Sequence, residues 1–124
     1  MRILLLALAP LALVACGSST DEGPPLASPP DVLIVTGAST LGAGAYDPNP
    51  ITISLASKQS IKWRNADGTA PIHTVTSNIG GQFDSGDMND GSTFTFDFSA
   101  LGPGTYQYHC SVHAGMTGSV IVNP

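Results

Sequence analysis

The chain has 124 residues, room for one domain, with 10% charged residues and a net charge of −5. Beyond Arg2 the basic side chains are Lys58, Lys62 and Arg64, so no basic patch exists and nucleic-acid binding is excluded. The 14 Gly and 10 Pro, with frequent Thr, favour strands and turns over helices, and the acidic balance suits solubility or a basic partner.

Taken in chain order, the first segment reads as an address rather than a fold. Met1-Arg2 carries one positive charge, and Ile3 to Val14 is an apolar run shorter than the ~20 residues that span a bilayer. That is a signal-peptide pattern over residues 1–15. Its end, Leu13-Val-Ala-Cys16, is similar to a bacterial lipobox. This implies that Cys16 is lipidated, becomes the first mature residue and holds the protein to a membrane of the bacterial cell envelope, facing the periplasm or exterior. With Cys16 acylated, Cys110 is the one free thiol and no disulfide can form. Residues 16–30 are rich in Gly, Ser and Pro with little to bury, the composition of a disordered tether. The folded domain is expected over 31–124.

From Val32 the pattern is that of strands. Val32-Leu-Ile-Val35 is a short apolar strand, and Thr36 to Ala45, with three Gly, reads as a loop. Ile51, Ile53 and Leu55 alternate with Thr52 and Ser54, and Ile61 and Trp63 alternate with Lys62 and Arg64. Asn65 to Pro71 is a turn-rich loop whose Asn and Asp read first as turn formers. A bracing role for Asn65 is the sharper alternative. His73-Thr-Val-Thr76 starts another strand, Asn78 to Gly91 is a long loop, and Phe94, Phe96 and Phe98 mark an amphipathic strand. Leu101-Gly-Pro-Gly104 turns the chain. Tyr106, Tyr108 and Cys110 then share one face, and Ser119 to Val122 closes the sheet. Regular short strands separated by turn signals predict an all-β sandwich of about seven to eight strands.

The chemistry is concentrated between the last two strands. Cys110, His113 and Met116 fall at intervals of three on one tight turn, and His73 lies 37 residues before Cys110. A thiol, two imidazoles and a weak thioether are the ligand set of a blue-copper electron-transfer site. Each residue has a plainer reading, as core or loop packing. A lone unpaired thiol in the cell envelope, however, is exposed to oxidation, which favours coordination for Cys110. Met88 reads as packing from the long loop rather than as an axial ligand.

Four segments, Trp63-Arg-Asn-Ala-Asp67, His73-Thr-Val-Thr76, Phe83-Asp-Ser-Gly86 and Gly104-x-Tyr106-x-Tyr108-x-Cys110-x-x-His113-x-x-Met116-x-Gly118, occur in the order seen in the cupredoxin family. Over roughly Tyr46 to Val122 the chain resembles plastocyanin, pseudoazurin and above all the short-loop amicyanins. The resemblance implies a Greek-key sandwich and one type 1 copper ion held by His73, Cys110, His113 and Met116. It also implies an electron carrier, not an enzyme, that meets redox donor and acceptor proteins by brief docking near His113, as a monomer. The expected apolar rim is Pro71, Ile72, Ala114 and Met116. The Thr74 N–H is expected to donate to the Cys110 sulfur. Family members usually carry Asn where this chain has Thr74, which leaves the side-chain brace between the two ligand loops in doubt. Amicyanin has Pro where this chain has Val112, so a second N–H to the sulfur is expected from Val112. His109 points away from Cys110 by strand alternation, and with three His in the chain a second internal copper centre is excluded. His109 reads as an exposed strand residue or, more sharply, as an electron entry point. The alternative function is copper storage or delivery on the same fold. It is weakened by the lack of any Met-rich or His-rich tract.

Overall fold

A computed structural model describes residues 28–68 and 72–124. The signal segment 1–15, Cys16, the tether up to residue 27 and Pro71 lie outside the described residues. The eight strands are β1 (Val32–Ile34), β2 (Tyr46–Asp47), β3 (Ile51–Ser54), β4 (Ser60–Asn65), β5 (Thr76–Ser77), β6 (Thr93–Asp97), β7 (Gly104–His109) and β8 (Thr117–Asn123). They form two four-stranded sheets, ordered β2-β1-β4-β6 and β3-β8-β7-β5. The chain passes from one sheet to the other between β2 and β3 and at each step up to β7. This makes β1 parallel to β4 and β3 parallel to β8. The all-β sandwich read from the sequence is the fold.

Alternation explains which faces meet. Ile61 and Trp63 of β4 are fully buried, whereas Lys62 is half-buried and Arg64 exposed. Trp63 is the centre of the core. Its ring lies 5.7 Å from those of Phe94 and Tyr108, 6.3 Å from Phe83 and 6.4 Å from Phe98. Of the Phe triplet, Phe98 is buried, and Phe94 and Phe96 are half-buried against the core. Buried Trp and Tyr need partners for their polar atoms: Trp63 Nε1–H donates to the Tyr108 hydroxyl at 3.2 Å. Burial pushes Tyr108 up to about 12, so it keeps its proton at ordinary pH. Tyr108 pairs with Gly118 across β7 and β8. A Cβ on Gly118 would lie 2.3 Å from Tyr108 Cζ, so the glycine is required by the ring, not by its own backbone.

Three sequence expectations need correction. The segment Thr36–Ala45 is not all loop: Ala38–Thr40 and Gly42–Ala45 are 3-10 turns. The stretch 73–76 is not a continuous strand, because β5 covers only Thr76–Ser77 and His73 makes a single antiparallel bridge to Met88. The reason is the use of its amides. Thr74 N–H goes to the Cys110 sulfur and Val75 N–H to Ser85 Oγ, so no neighbouring strand receives them. Finally, the end of the tether is attached: Lys62 Nζ donates to the Ser28 carbonyl at 2.7 Å.

Candidate metal centre

Seven residues, 110–116, connect β7 to β8 at one end of the sandwich. Cys110 N–H donates to the Met116 carbonyl at 3.0 Å and Met116 N–H to the His113 carbonyl at 3.4 Å. The turn is therefore tied across its base. Gly115 has φ 84, a left-handed conformation that side chains other than glycine adopt at a cost. Its Cβ would meet nothing, so conformation alone selects glycine here. On the other side of the centre, the His73–Met88 bridge holds the first histidine, with N–H to carbonyl distances of 3.1 and 2.9 Å.

These two supports bring His73, Cys110 and His113 together, with one nitrogen or sulfur atom of each within 4.8 Å of the others. His73 Nδ1 lies 3.9 Å and His113 Nδ1 3.6 Å from Cys110 Sγ. The two imidazole rings are 4.9 Å apart. His73 and Cys110 are buried and His113 is half-buried. A soft thiolate and two imidazole nitrogens converging on one small space form a donor set that fits copper or zinc. Met116 is fully buried beside them, its backbone bonded to Cys110. Met88 is also buried, and it is joined to His73 through backbone bonds. His109 stands apart from the cluster: its Nδ1 bonds to Asn78 Oδ1 at 2.6 Å on the outer face.

The sulfur accepts the expected hydrogen bond from Thr74 N–H, at 3.4 Å. Among the described residues Val112 gives it none, and its side chain is half-exposed on the turn. That expectation is overturned because the turn closes through Cys110 and Met116 rather than around the sulfur. The doubt about the brace between the two loops is also removed. Ser111 N–H donates to Thr74 Oγ1 at 2.8 Å, so a threonine hydroxyl links them.

The hydroxyl has one consistent orientation. Asp84 accepts, so Thr76 Oγ1–H donates to its carboxylate at 3.2 Å. The Thr76 oxygen then receives Thr74 Oγ1–H at 2.9 Å and Ser111 Oγ–H at 3.0 Å. This leaves the Thr74 oxygen free to accept from the Ser111 amide. A chain of protons running toward Asp84 thereby fixes the residue after Cys110.

Asp67 reads from the sequence as a turn former, and the structure gives it a further place. It is buried, and its Oδ2 lies 2.8 Å from His73 Nε2, the ring nitrogen away from the thiol. Its Oδ1 accepts from Gly37 N–H at 2.8 Å. Asn65 supports the same region: Asp67 N–H donates to its Oδ1 and its Nδ2–H to the Met88 carbonyl. The one sequence signal for Asp67 is its place in a short Asn-Ala-Asp turn six residues before His73.

The expected rim also changes. Met116 is interior, not surface. Ala114 and Ile72 are exposed as expected, and the other large exposed apolar residues around the turn are Val112 and Leu41, the latter next to Gly42, which lies against the Gly115 carbonyl.

A family model for the cupredoxin-like domain matches residues 7–122. No curated protein matches the sequence. Among solved structures, a purple cupredoxin from Nitrosopumilus maritimus is 30% identical; the match covers 74% of this chain and 97% of that one, with a TM-score of 0.63. The reduced Cu(I) form of a proline-to-glycine mutant of amicyanin is 21% identical over 80% of this chain and 87% of that one, TM-score 0.58. Auracyanin from Roseiflexus castenholzii is 20% identical over 75% and 94%, TM-score 0.55. The last two show likeness of fold.

Proposed function

This chain belongs to the cupredoxin-like domain family, and from that premise we propose that it is a one-copper electron-transfer protein with His73, Cys110, His113 and Met116 as ligands. The observation that carries the reading is the convergence of two imidazole nitrogens and one thiol sulfur within 4.8 Å on two independently braced loops. Copper supplies the one-electron couple between Cu(II) and Cu(I), which this mixture of soft and intermediate donors suits in both states.

The protein's contribution is to hold the donors still. His73 is fixed by Met88 and Asp67, Cys110 by Thr74 N–H, and the turn by its Cys110–Met116 bond. Buried, hydrogen-bonded donors that do not rearrange keep reorganisation small when the charge at the centre changes, which favours rapid transfer. His73, Cys110, Met116 and Met88 exclude water. His113 is the donor whose ring reaches the surface. Redox donor and acceptor proteins dock there, on the small rim of Ile72, Val112 and Leu41, an area suited to brief encounters. Lipidation of Cys16 anchors the protein in the bacterial cell envelope, and the tether of residues 17–30 links the anchor to the domain.

The second reading is copper delivery. The half-exposed His113 favours it, since a partner's thiol could displace that side chain. Voltammetry with and without a Cu(I) chelator separates the two. A carrier gives a reversible couple and keeps its copper in the reduced state. Rapid loss of Cu(I) to the chelator at equal concentration would establish delivery instead.

A further inference from the structure

A buried carboxylate is costly unless its oxygens are hydrogen-bonded. Asp67 is 1% exposed, and its two oxygens accept from Gly37 N–H and from the His73 ring, each at 2.8 Å. Because a carboxylate only accepts, the shared proton with His73 belongs to Nε2. The ring's other nitrogen, Nδ1, then presents a lone pair, and this is the atom facing Cys110 Sγ. One tautomer of His73 is therefore selected from behind.

The arrangement is rigid as well as directional. Asp67 N–H bonds to Asn65 Oδ1, Asn65 Nδ2–H to the Met88 carbonyl, and that carbonyl also accepts His73 N–H. With the Asp67–His73 bond this closes a ring of hydrogen bonds: Asp67, His73, Met88, Asn65 and back. Every named member is buried. Low local polarity strengthens each bond and the influence of the carboxylate's charge.

We propose that Asp67 is a positioning residue that fixes the metal-binding tautomer of His73 and, through its negative charge, favours Cu(II) over Cu(I) at this centre. The inference rests on the copper reading above. A carboxylate accepting a ligand's outer N–H makes that imidazole a stronger donor. Stronger donation benefits the higher oxidation state more, so Asp67 holds the midpoint potential down. His113, on the surface turn, provides the contact for partners, and His73 with Asp67 sets the potential.

The test is Asp67→Asn, which keeps an oxygen to accept from Nε2–H and removes the charge. A purely structural role leaves the potential where it was. The expected result is retained visible colour with Cu(II) affinity lower by about ten-fold, the lower end for lost partners of metal-bound His. Cu(I) affinity changes much less. A ten-fold change in the ratio of the two affinities raises a one-electron midpoint by about 59 mV. Competition titrations for each oxidation state and melting of the metal-free protein accompany the voltammetry. An unchanged midpoint in a coloured, folded variant overturns the inference and leaves the copper reading intact. An unsubstituted protein that binds no copper removes both.

Should the variant fail to fold, ¹⁵N spectra of the unsubstituted Cu(I) protein decide. A slowly exchanging proton on His73 Nε2 is expected, and a proton on Nδ1 instead overturns the proposal.

Discussion

His73 and His113 face the same sulfur at similar distances, 3.9 and 3.6 Å, yet the protein treats them in opposite ways. His73 is fully buried, bridged to Met88 through its backbone and to Asp67 through its ring. His113 is half-buried on a seven-residue turn whose other exposed members include Val112 and Gly115. The difference suits the two histidines to different work. A group fixed on all sides can hold a charge state steady. A group at the surface can be reached by another molecule. Electron transfer needs both, and the sandwich supplies the first from its interior loops and the second from the turn between its last two strands.

Removing the histidines one at a time is the sharpest way to break that comparison. His73→Ala and His113→Ala should each abolish the intense colour with Cu(II), but the metal-free proteins should differ. His73→Ala leaves the buried Asp67 oxygen without its ring partner, and a hydrogen bond to a charged group is worth about 1.5–3 kcal/mol. His113→Ala should change stability by under about 1 kcal/mol, as surface substitutions do. Denaturant melts of both apoproteins check this; equal losses would mean that His73 is no better anchored than His113.

Gly118→Ala probes the support beneath the turn. The new methyl would meet the buried Tyr108 ring, 2.3 Å from Cζ, and overpacking of this kind costs about 1–3 kcal/mol. A lower melting temperature with an unchanged copper spectrum is expected, because neither Gly118 nor Tyr108 belongs to the His73, Cys110 and His113 cluster. A spectrum that shifts with the melt would show that the turn and the Tyr108 ring are coupled.

A smaller effect is expected from Thr74→Val. It removes the oxygen that accepts from Ser111 N–H but keeps the backbone N–H to the sulfur. The loss should be about 1 kcal/mol, with faster hydrogen exchange at Ser111 and little change in colour. Exchange unaltered at Ser111 would show that the hydroxyl chain to Asp84 does not hold the turn.

The smallest effect at neutral pH comes from the tyrosines of the buried side. Burial pushes Tyr108 up to about 12, and Tyr46 is raised further by burial and by Cys110. Raised folded values mean that the folded protein binds more protons than the unfolded chain above pH 10. The Tyr108 contribution is therefore fully present below about pH 10 and is lost as pH rises through 12, and that of Tyr46 continues to fall beyond it. Urea melts from about pH 8 to 11 should show stability flat and then falling; a rise above about pH 10 would contradict these environments.

What the sequence showed and what it concealed follow the same division. The meeting of Cys110 and His113 was legible because they stand three residues apart on one turn, and spacing alone brings them together. β4, β6 and β7 were legible from alternation, which puts Trp63 on the inward face of β4. The surroundings of His73 were not. Asp67 reads as a turn residue until the chain brings its carboxylate back to the ring, and nothing local marks Gly37 as its second partner. The break in the expected strand at residues 73–75 arises from amides drawn to a thiol and a serine 36 and 10 residues away. Thr74 was legible as a missing Asn, but only the fold shows that its hydroxyl reaches Ser111. The Val112 expectation failed for a related reason: an available N–H was inferred correctly, but its direction depends on how the turn closes.

The most direct measurement of the central claim is titration of the metal-free domain with Cu(II), followed by visible absorption, for the unsubstituted protein and for Cys110→Ser. The expected result is an intense sulfur-to-copper band that saturates at one equivalent and is absent from a serine variant with an unchanged apo fold. An unsubstituted protein that stays colourless, or a serine variant that is equally coloured, would contradict the account.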